Sequence, residues 1–541
     1  MLPLIQTTDI HGYVVYKDNS AVHYRLAYIA DKAEDLRRNG QDRLLLLDGG
    51  DLYQGASISN LMSGWPIYAS MDKMGYDAVA LGNHEFDWDI DTIVDSDATL
   101  PDYEWKGSVR ENLVPVLCAN LYKDGERAAC ARDYVVVEKS AVNKKGETIK
   151  VKIGIIGFAV NYAGSIMASK FSGRGYSINA DSNIVKEIAG RLESSGECDA
   201  TIVLAHGEAD DVTAAIGWDS KIDLVLGGHS HRTLSGEAPW GLAYLQGGRY
   251  CEHYASCNLN FSLERTGKIL FKSVDGMQIH QVYPNLDRHD SPGQNAENLS
   301  SDVLEISEFA MQATAQAQNE ILGHINVDAS TYYIYNSGNR ASNMSNWMCD
   351  IIRRIGEADV AFVNSGGIRT SFPLGSSSSR DITVANVYEI FPFGNTTYVY
   401  KLTYADLLKV FEYSMTSGGQ SLFSCMTGID CYYSVTNYGS YTSGKVQSLV
   451  MDGTVIYQSG RWTGDWASRP VTLAVSEYLA TTERTDYYTN IANPLIKWNE
   501  SEKMVGNSQV DNDGAVRVLR AEAAASGGLL WIDTAAHFIE Q

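Results

Sequence analysis

No stretch of this sequence approaches the ~20 consecutive apolar residues that a membrane span needs, so no transmembrane helix is expected. Positive charge is scarce: 43 Lys and Arg stand against 66 Asp and Glu, a net charge of -23. Such a surface repels phosphate backbones, which argues against a long nucleic-acid partner. A small anionic substrate stays open, because a few arginines or metal ions reverse the field inside one cleft. The eight cysteines form no CxxC zinc pattern. Cys251/Cys257 and Cys425/Cys431 are close enough in sequence to pair, and both buried thiols and the disulfides of an exported protein stay open. Neither an internal repeat nor a coiled coil is visible. Met1 runs straight into Leu-Pro-Leu-Ile-Gln-Thr-Thr-Asp with no basic, then apolar, leader. A motif begins so near this start that the expectation is a trimmed leader, and a secreted, periplasmic or cell-surface protein rather than a cytosolic one.

What is present is globular. Apolar residues make up 44% and charged residues 20%, enough for a sizeable core without staples. At roughly 150 residues per domain, two to four domains fit, and two large ones fit as well. The first half alternates amphipathic stretches with short Val/Ile/Leu runs: RLLLLDGGD (43–51), VKIGIIGF (151–158), DATIVLAHGE (199–208) and IDLVLGGHSH (222–231). Such runs read as strands covered on both faces, hence a layered α/β core. Each ends in Gly, Asp or His, where the ligand loops of an α/β sheet belong. Around 290–300 the composition turns polar. A helix over 301–322 follows, with Gly323 as its stop. It reads as a linker (296–322) between a domain over 1–295 and another over 323–541. The second half is richer in Tyr, Ser and Thr, and the last 27 residues carry no readable signal.

The residues at the ends of the apolar runs form a constellation. TTDIHG brings Asp9 and His11. DGGD brings Asp51, with Asp48 at the strand end. GNHEFD brings Asn83, His84 and Asp87. AHGE brings His206, and GGHSH brings His229 and His231. Two divalent ions need about five or six ligands each, drawn from imidazole, carboxylate, amide oxygen and water. A carboxylate in a Gly-rich turn, such as Asp51, has two oxygens and can bridge both ions. In D-x-H and H-x-H, residues two apart in an extended chain point to one side. Flanking glycines let the backbone come close. Two such ions polarise a phosphoryl group and activate a water, the requirement for phosphate-ester hydrolysis.

These blocks resemble, in order, those of the calcineurin-like metallophosphoesterases, and more narrowly the secreted 5'-nucleotidase family. That family includes UDP-sugar hydrolases and 2',3'-cyclic-nucleotide phosphodiesterases. The resemblance covers residues 4–232 and implies a four-layer α/β-β/α sandwich followed by a smaller α+β substrate domain. It implies that Asp9, His11, Asp51 and His231 hold one metal, and that Asp51, Asn83, His206 and His229 hold the other. The ions would be Mn, Zn or similar. His84 would contact the phosphate, oriented by Asp87, while Glu85 and Trp88 pack or hydrogen-bond. Glu208 departs from the family's small or apolar run, as a surface residue or one that alters the metal's surroundings.

The second half resembles the family in two blocks. FVNSGGIRTSF (362–372) presents Arg369 on a glycine turn, a rigid fork for phosphate. FPFGN (391–395) places an aromatic beside a Gly-Asn turn. The implied roles are Arg369 to the phosphate, Phe393 to the base and Asn395 to its edge, with Arg340 a further phosphate arginine. Tyr478 would be the second stacking aromatic and Asp486 the ribose-binding acid. The glycines expected between these two are missing and the spacing is longer, which puts nucleoside specificity in doubt. The expected activity is release of phosphate from nucleotides, first as a 5'-nucleotidase. The alternatives are a cyclic phosphodiesterase/3'-nucleotidase, a UDP-sugar hydrolase, or a catalytically silent surface binding protein.

Overall fold

The computed structural model describes the chain except residues 18–21, 39, 88–113, 162–169, 219–220, 283–298, 300, 332–341, 417–428, 438–441, 482–492 and 499–503. Arg340, Asp486, Trp88 and Cys425 therefore lie outside the described residues. The chain divides into two compact units, one built from Met1–Ile166 and Lys170–Thr314, the other mainly from Ala315–Gln541.

The first unit contains two six-stranded sheets. One runs in the order Ile269–Gln281, His253–Leu263, Leu2–Thr7, Leu45–Asp48, Ala78–Ala80, Val116–Leu117, its last four strands parallel. The other runs Thr233–Glu237, Ala243–Gly247, Leu224–Leu226, Ala200–His206, Thr148–Ala159, Tyr134–Val142, its middle four parallel. Strand side chains alternate between faces, and here that alternation divides each apolar run between two cores. Leu45, Leu47, Ile153, Ile155, Ile202 and Leu204 join one buried cluster between the sheets. Leu44 and Leu46 turn outward to the helices Arg25–Arg37, Trp65–Met74 and Ser301–Ala313. Ile156, Phe158, Val203 and Ala205 turn outward to Asn183–Ser195 and Ala209–Ile216. The result is the expected four layers. The parallel connections also carry the ends of both sheets' central strands to one edge of the sandwich, where the polar motifs begin.

The expected single helix over 301–322 is two helices and the start of a strand. Ser301–Ala313 buries Val303, Ile306 and Ala310 in the first unit's core. At Thr314 the hydroxyl donates to the Ala310 carbonyl at 2.8 Å, the back-bonding that bends helices. A short helix, Ala315–Asn319, and the strand Ile321–Ile325 follow. Gly323, the expected stop, lies within that strand. A side chain there would meet the Gly528 carbonyl at 2.8 Å, so its role is close approach.

The second unit has a four-stranded sheet in the order Val360–Phe362, Pro470–Ser476, Thr396–Thr403, Met504–Val510. A five-stranded sheet runs Arg461–Trp462, Thr454–Gln458, Thr442–Met451, Ile429–Asn437, Phe538–Glu540. The unreadable tail is thus structured: Asp511–Ser526 is a helix, and Phe538–Glu540 completes the second sheet. The seven described cysteines are free thiols, Cys251 and Cys257 among them, both buried.

Leu204 is fully buried between the sheets. Leu204→Ala should cost about 2–5 kcal/mol by leaving a cavity there. Urea unfolding measures it. A loss below about 1 kcal/mol would mean that the sheets do not share a tightly packed core.

Candidate metal centre

Five loops leave the strand ends of the first unit. Thr8–Gly12 follows Leu2–Thr7, Gly49–Gly55 follows Leu45–Asp48, and Leu81–Asp87 follows Ala78–Ala80. His206 ends its strand, and Gly227–His231 follows Leu224–Leu226. The expectation that D-x-H and H-x-H converge through extended backbone does not hold. Asp9, His11, Asp51, His229 and His231 all adopt left-handed backbone, with φ between 48° and 73°. Non-glycine residues rarely do so without structural compulsion. Convergence comes from sharp turns held by neighbouring loops: Asp9 N–H donates to the Gly50 carbonyl and His11 N–H to the Asp51 carbonyl, both at 2.9 Å. The glycines serve that packing. A Cβ on Gly82 would lie 2.2 Å from an Asp51 carboxylate oxygen, and one on Gly50 2.8 Å from the Ala80 carbonyl.

Side-chain atoms of Asp9, His11 and His231 lie within 4.8 Å of one another, as do those of Asp51, His206 and His229, and of His11, Asp51 and His84. Asp51 Oδ2 is 3.2 Å from His206 Nε2 and 3.7 Å from His11 Nε2. His206 Nε2 also lies 3.2 Å from Asn83 Oδ1 and 3.2 Å from His229 Nδ1. His11 Nε2 is 3.1 Å from His231 Nε2, which is 3.6 Å from Asp9 Oδ1.

Tautomers decide what this means. His11 Nδ1 sits 2.9 Å from the Gln54 carbonyl, and His206 Nδ1 2.7 Å from the Gly49 carbonyl. A carbonyl only accepts, so each Nδ1 carries the proton and each neutral ring turns a lone pair at Nε2 inward. Where both rings are neutral, the Nε2 lone pairs of His11 and His206 therefore turn toward the Asp51 carboxylate, and imidazole nitrogens around a carboxylate are a ligand set that fits divalent cations. Without a cation the charge must come from a proton. Although burial lowers it, the Asp51 carboxylate raises the pKa of His206 to about 10. Against the cost of burial, His206, His84 and His11 hold Asp51 well below the usual carboxylate range. Burial pushes Asp9 up to about 8.

His84 is placed by two contacts. Its backbone N–H donates to Asp51 Oδ1 at 2.9 Å, and its Nδ1 lies 2.7 Å from Asp87 Oδ2. The ring is 12% exposed and lies in the group with His11 and Asp51. Glu85 hydrogen-bonds as expected, accepting from the backbone N–H groups of Asp51, Leu52 and Gly82 at 3.1, 2.7 and 2.7 Å. Asp48 braces the same loop, accepting from Thr7 and Gly50. Glu208 pairs with Arg232, the residue after His231, and so clips two ligand loops together. Thr8, which donates to Asp9 Oδ2 at 2.6 Å, was not signalled by sequence; only its place beside Asp9 pointed to it.

In the second unit, Phe362 pairs with Val475 and Val475 with Tyr398. That register sets the loop carrying Arg369, the segment Ser476–Tyr478 and the FPFGN turn at one sheet end. The Arg369 guanidinium lies 5.5 Å from the Phe393 ring centre. Arg369 is exposed, whereas Asn395 is buried, so its placement suits it to brace the turn. Its backbone carbonyl accepts from Asp511 N–H at 2.8 Å, and its amide bonds the Asp511 carboxyl. Tyr478 lies in a short helix, Glu477–Thr481, half-buried against the core.

The fold and the centre define a class, the calcineurin-like phosphoesterases, whose family model matches residues 2–233. A second model, the C-terminal domain of 5'-nucleotidases, matches residues 321–461. The chain belongs to the phosphoesterases that combine these two domains. It is 24% identical to a 5'-nucleotidase of Vibrio parahaemolyticus over 434 residues, 73% of this chain and 71% of that protein. It is 23% identical to a snake venom 5'-nucleotidase of Gloydius brevicauda, over 80% of this chain and 74% of the relative. The crystal structure of a 5'-nucleotidase precursor from Thermus thermophilus shares the fold, with a TM-score of 0.69 at 18% identity, covering 100% of this chain and 99% of that one.

Asp511 carries a pH prediction. Burial raises its pKa from 3.8 to about 8. Between those values the folded chain keeps a proton that the unfolded chain releases. The stability it contributes is complete below pH 3.8 and lost as pH rises to about 8. Asp511→Asn cannot ionise, so from pH 5 to pH 8 the wild type should lose stability relative to the variant. Hydrogen exchange in the helix Asp511–Ser526 reads this out, and parallel pH profiles would refute it.

Proposed function

We propose that this protein is a dimetal phosphohydrolase that releases phosphate from nucleotides, first of all nucleoside 5'-monophosphates. The single observation that carries the reading is the inward meeting of lone pairs at Asp51 and His206. Asp9, His11, Asp51 and His231 would hold one divalent ion, and Asp51, Asn83, His206 and His229 the other. Two ions there would supply Lewis-acid charge and a water nucleophile at neutral pH.

The remaining work belongs to the chain's own groups. His84, with Asp87 behind its Nδ1, would donate from Nε2 to a phosphate oxygen or the leaving group. Arg369 offers a fork to phosphate and Phe393 a face to the base. Two curated relatives named 5'-nucleotidases support the nucleotide reading. Export from the cytosol is part of the same proposal, supported by the venom relative.

Phosphate release from 5'-AMP, 3'-AMP, 2',3'-cyclic AMP, UDP-glucose and an aryl phosphate, with Mn²⁺ added, tests the reading. Preference for 5'-AMP is expected. Release from the aryl phosphate alone would keep the metal chemistry and reject the nucleoside assignment. His84→Ala should keep its metal and lose about 10²–10⁴-fold in kcat, and Asp51→Ala should lose both metal and activity. A His84→Ala variant as fast as wild type would remove His84 from the chemistry.

A further inference from the structure

A sixth loop reaches the centre, and no motif covers it. Gly248–Glu252 links the strand Ala243–Gly247 to His253–Leu263, on the edge where the ligand loops emerge. It has the same backbone signature as those loops: Tyr250 and Cys251 both sit at φ 54°. Two consecutive non-glycine residues in left-handed backbone need outside support. Tyr250 N–H donates to the Asp9 carbonyl at 2.8 Å, and the buried Arg25 donates to the Tyr250 carbonyl at 3.2 Å. The loop is thus bolted to the residue before Ile10 and His11.

The support presents a definite surface. The Tyr250 ring stands 5.6 Å from the His11 ring, 5.5 Å from the His231 ring and 4.5 Å from the Tyr13 ring. The Arg249 guanidinium lies 4.8 Å above Tyr250, with Nη1 3.5 Å from His231 Nδ1. Arg249 is 45% exposed, and its carboxylate neighbour Glu252 stands at 3.9 Å while also facing Arg25 at 3.8 Å. An exposed pair that long holds a guanidinium weakly. Arg232, by contrast, is clamped by Glu208. In a chain of net charge -23, an arginine stacked on tyrosine one imidazole away from the centre is a local positive charge.

We propose that Arg249, backed by Tyr250 and Tyr13, is a second phosphate subsite. It would take the phosphoryl group next to the one cleaved in a diphosphate-bearing nucleotide. This rests on the phosphohydrolase reading and names a residue that would hold the second phosphoryl group of such a substrate. With ADP, water supplies the new oxygen at the terminal phosphorus as the bond to the bridging oxygen breaks. AMP leaves, water's proton passing to the released phosphates, and Arg249 holds the phosphoryl of AMP. Tyr250 backs the guanidinium face, and Arg25 holds the Tyr250 backbone in place.

The test uses the full chain loaded with Mn²⁺, as wild type, Arg249→Gln and Arg249→Lys, with bound metal measured by elemental analysis. Catalytic efficiency is compared on ADP, AMP and 4-nitrophenyl phosphate. Binding of methylenediphosphonate and of orthophosphate is compared by calorimetry. Losing charged hydrogen bonds should lower the ADP to 4-nitrophenyl phosphate efficiency ratio by about ten- to a hundredfold in Arg249→Gln. Metal content should be unchanged, methylenediphosphonate should weaken more than orthophosphate, and Arg249→Lys should recover only part of the ratio. An unchanged ratio with phosphate release intact overturns the subsite and leaves the phosphohydrolase standing. An equal fall on all three substrates, or loss of metal, also overturns it, because Arg249 would then act through His231. If wild type cleaves none of them, the phosphohydrolase reading fails, and the two binding comparisons alone decide the subsite.

Discussion

Buried lone pairs gathered together repel one another unless something positive sits among them, and in this protein that demand is greatest around the Asp51 carboxylate. His206, His11 and the backbone N–H of His84 all approach it. The loops that bring them are themselves held by backbone hydrogen bonds and by Glu85, which ties three N–H groups of two loops to one carboxylate. The centre and its frame are therefore one object. The side chains that a cation needs are also the ones whose mutual repulsion the frame must withstand without it.

The layered architecture makes that frame stiff. A single run such as Leu44–Leu47 feeds two cores through alternate residues, so its strand has no free face on which to shift register. Loops at the ends of such strands inherit fixed starting points, which is what a site assembled from five chain segments requires.

Much of this was legible in sequence, for physical reasons that can be named. Buried parallel strands write themselves as unbroken apolar runs, and polar residues stranded at their ends stand out, as Asn83-His84 does after Val79-Ala80-Leu81. The helix Asp511–Ser526 left no comparable trace, since its Ala-rich face is weakly patterned, and Gly323 mimicked a helix stop while serving a close backbone contact. Backbone conformation was also hidden: D-x-H reads as extended chain, yet Asp9 and His11 are left-handed because the Gly50 and Asp51 carbonyls impose the turn. Gly248-Arg249-Tyr250 has the Gly-then-polar form of the other strand ends, but an arginine and a tyrosine are too common at surfaces to raise notice. FPFGN likewise gave no sign that Asn395 is buried and bonded to Asp511.

The left-handed residues have a consequence for how such a centre is inherited. A histidine copied onto an ordinary loop would arrive with the right chemistry and the wrong trajectory, because five of these side chains aim correctly only from a backbone that other loops bend. Nor can Gly50 or Gly82 drift to alanine while the neighbours keep their places. The unit of descent here is the set of interlocked turns, and a lineage changing its chemistry is freer to alter what surrounds them than to exchange them one at a time.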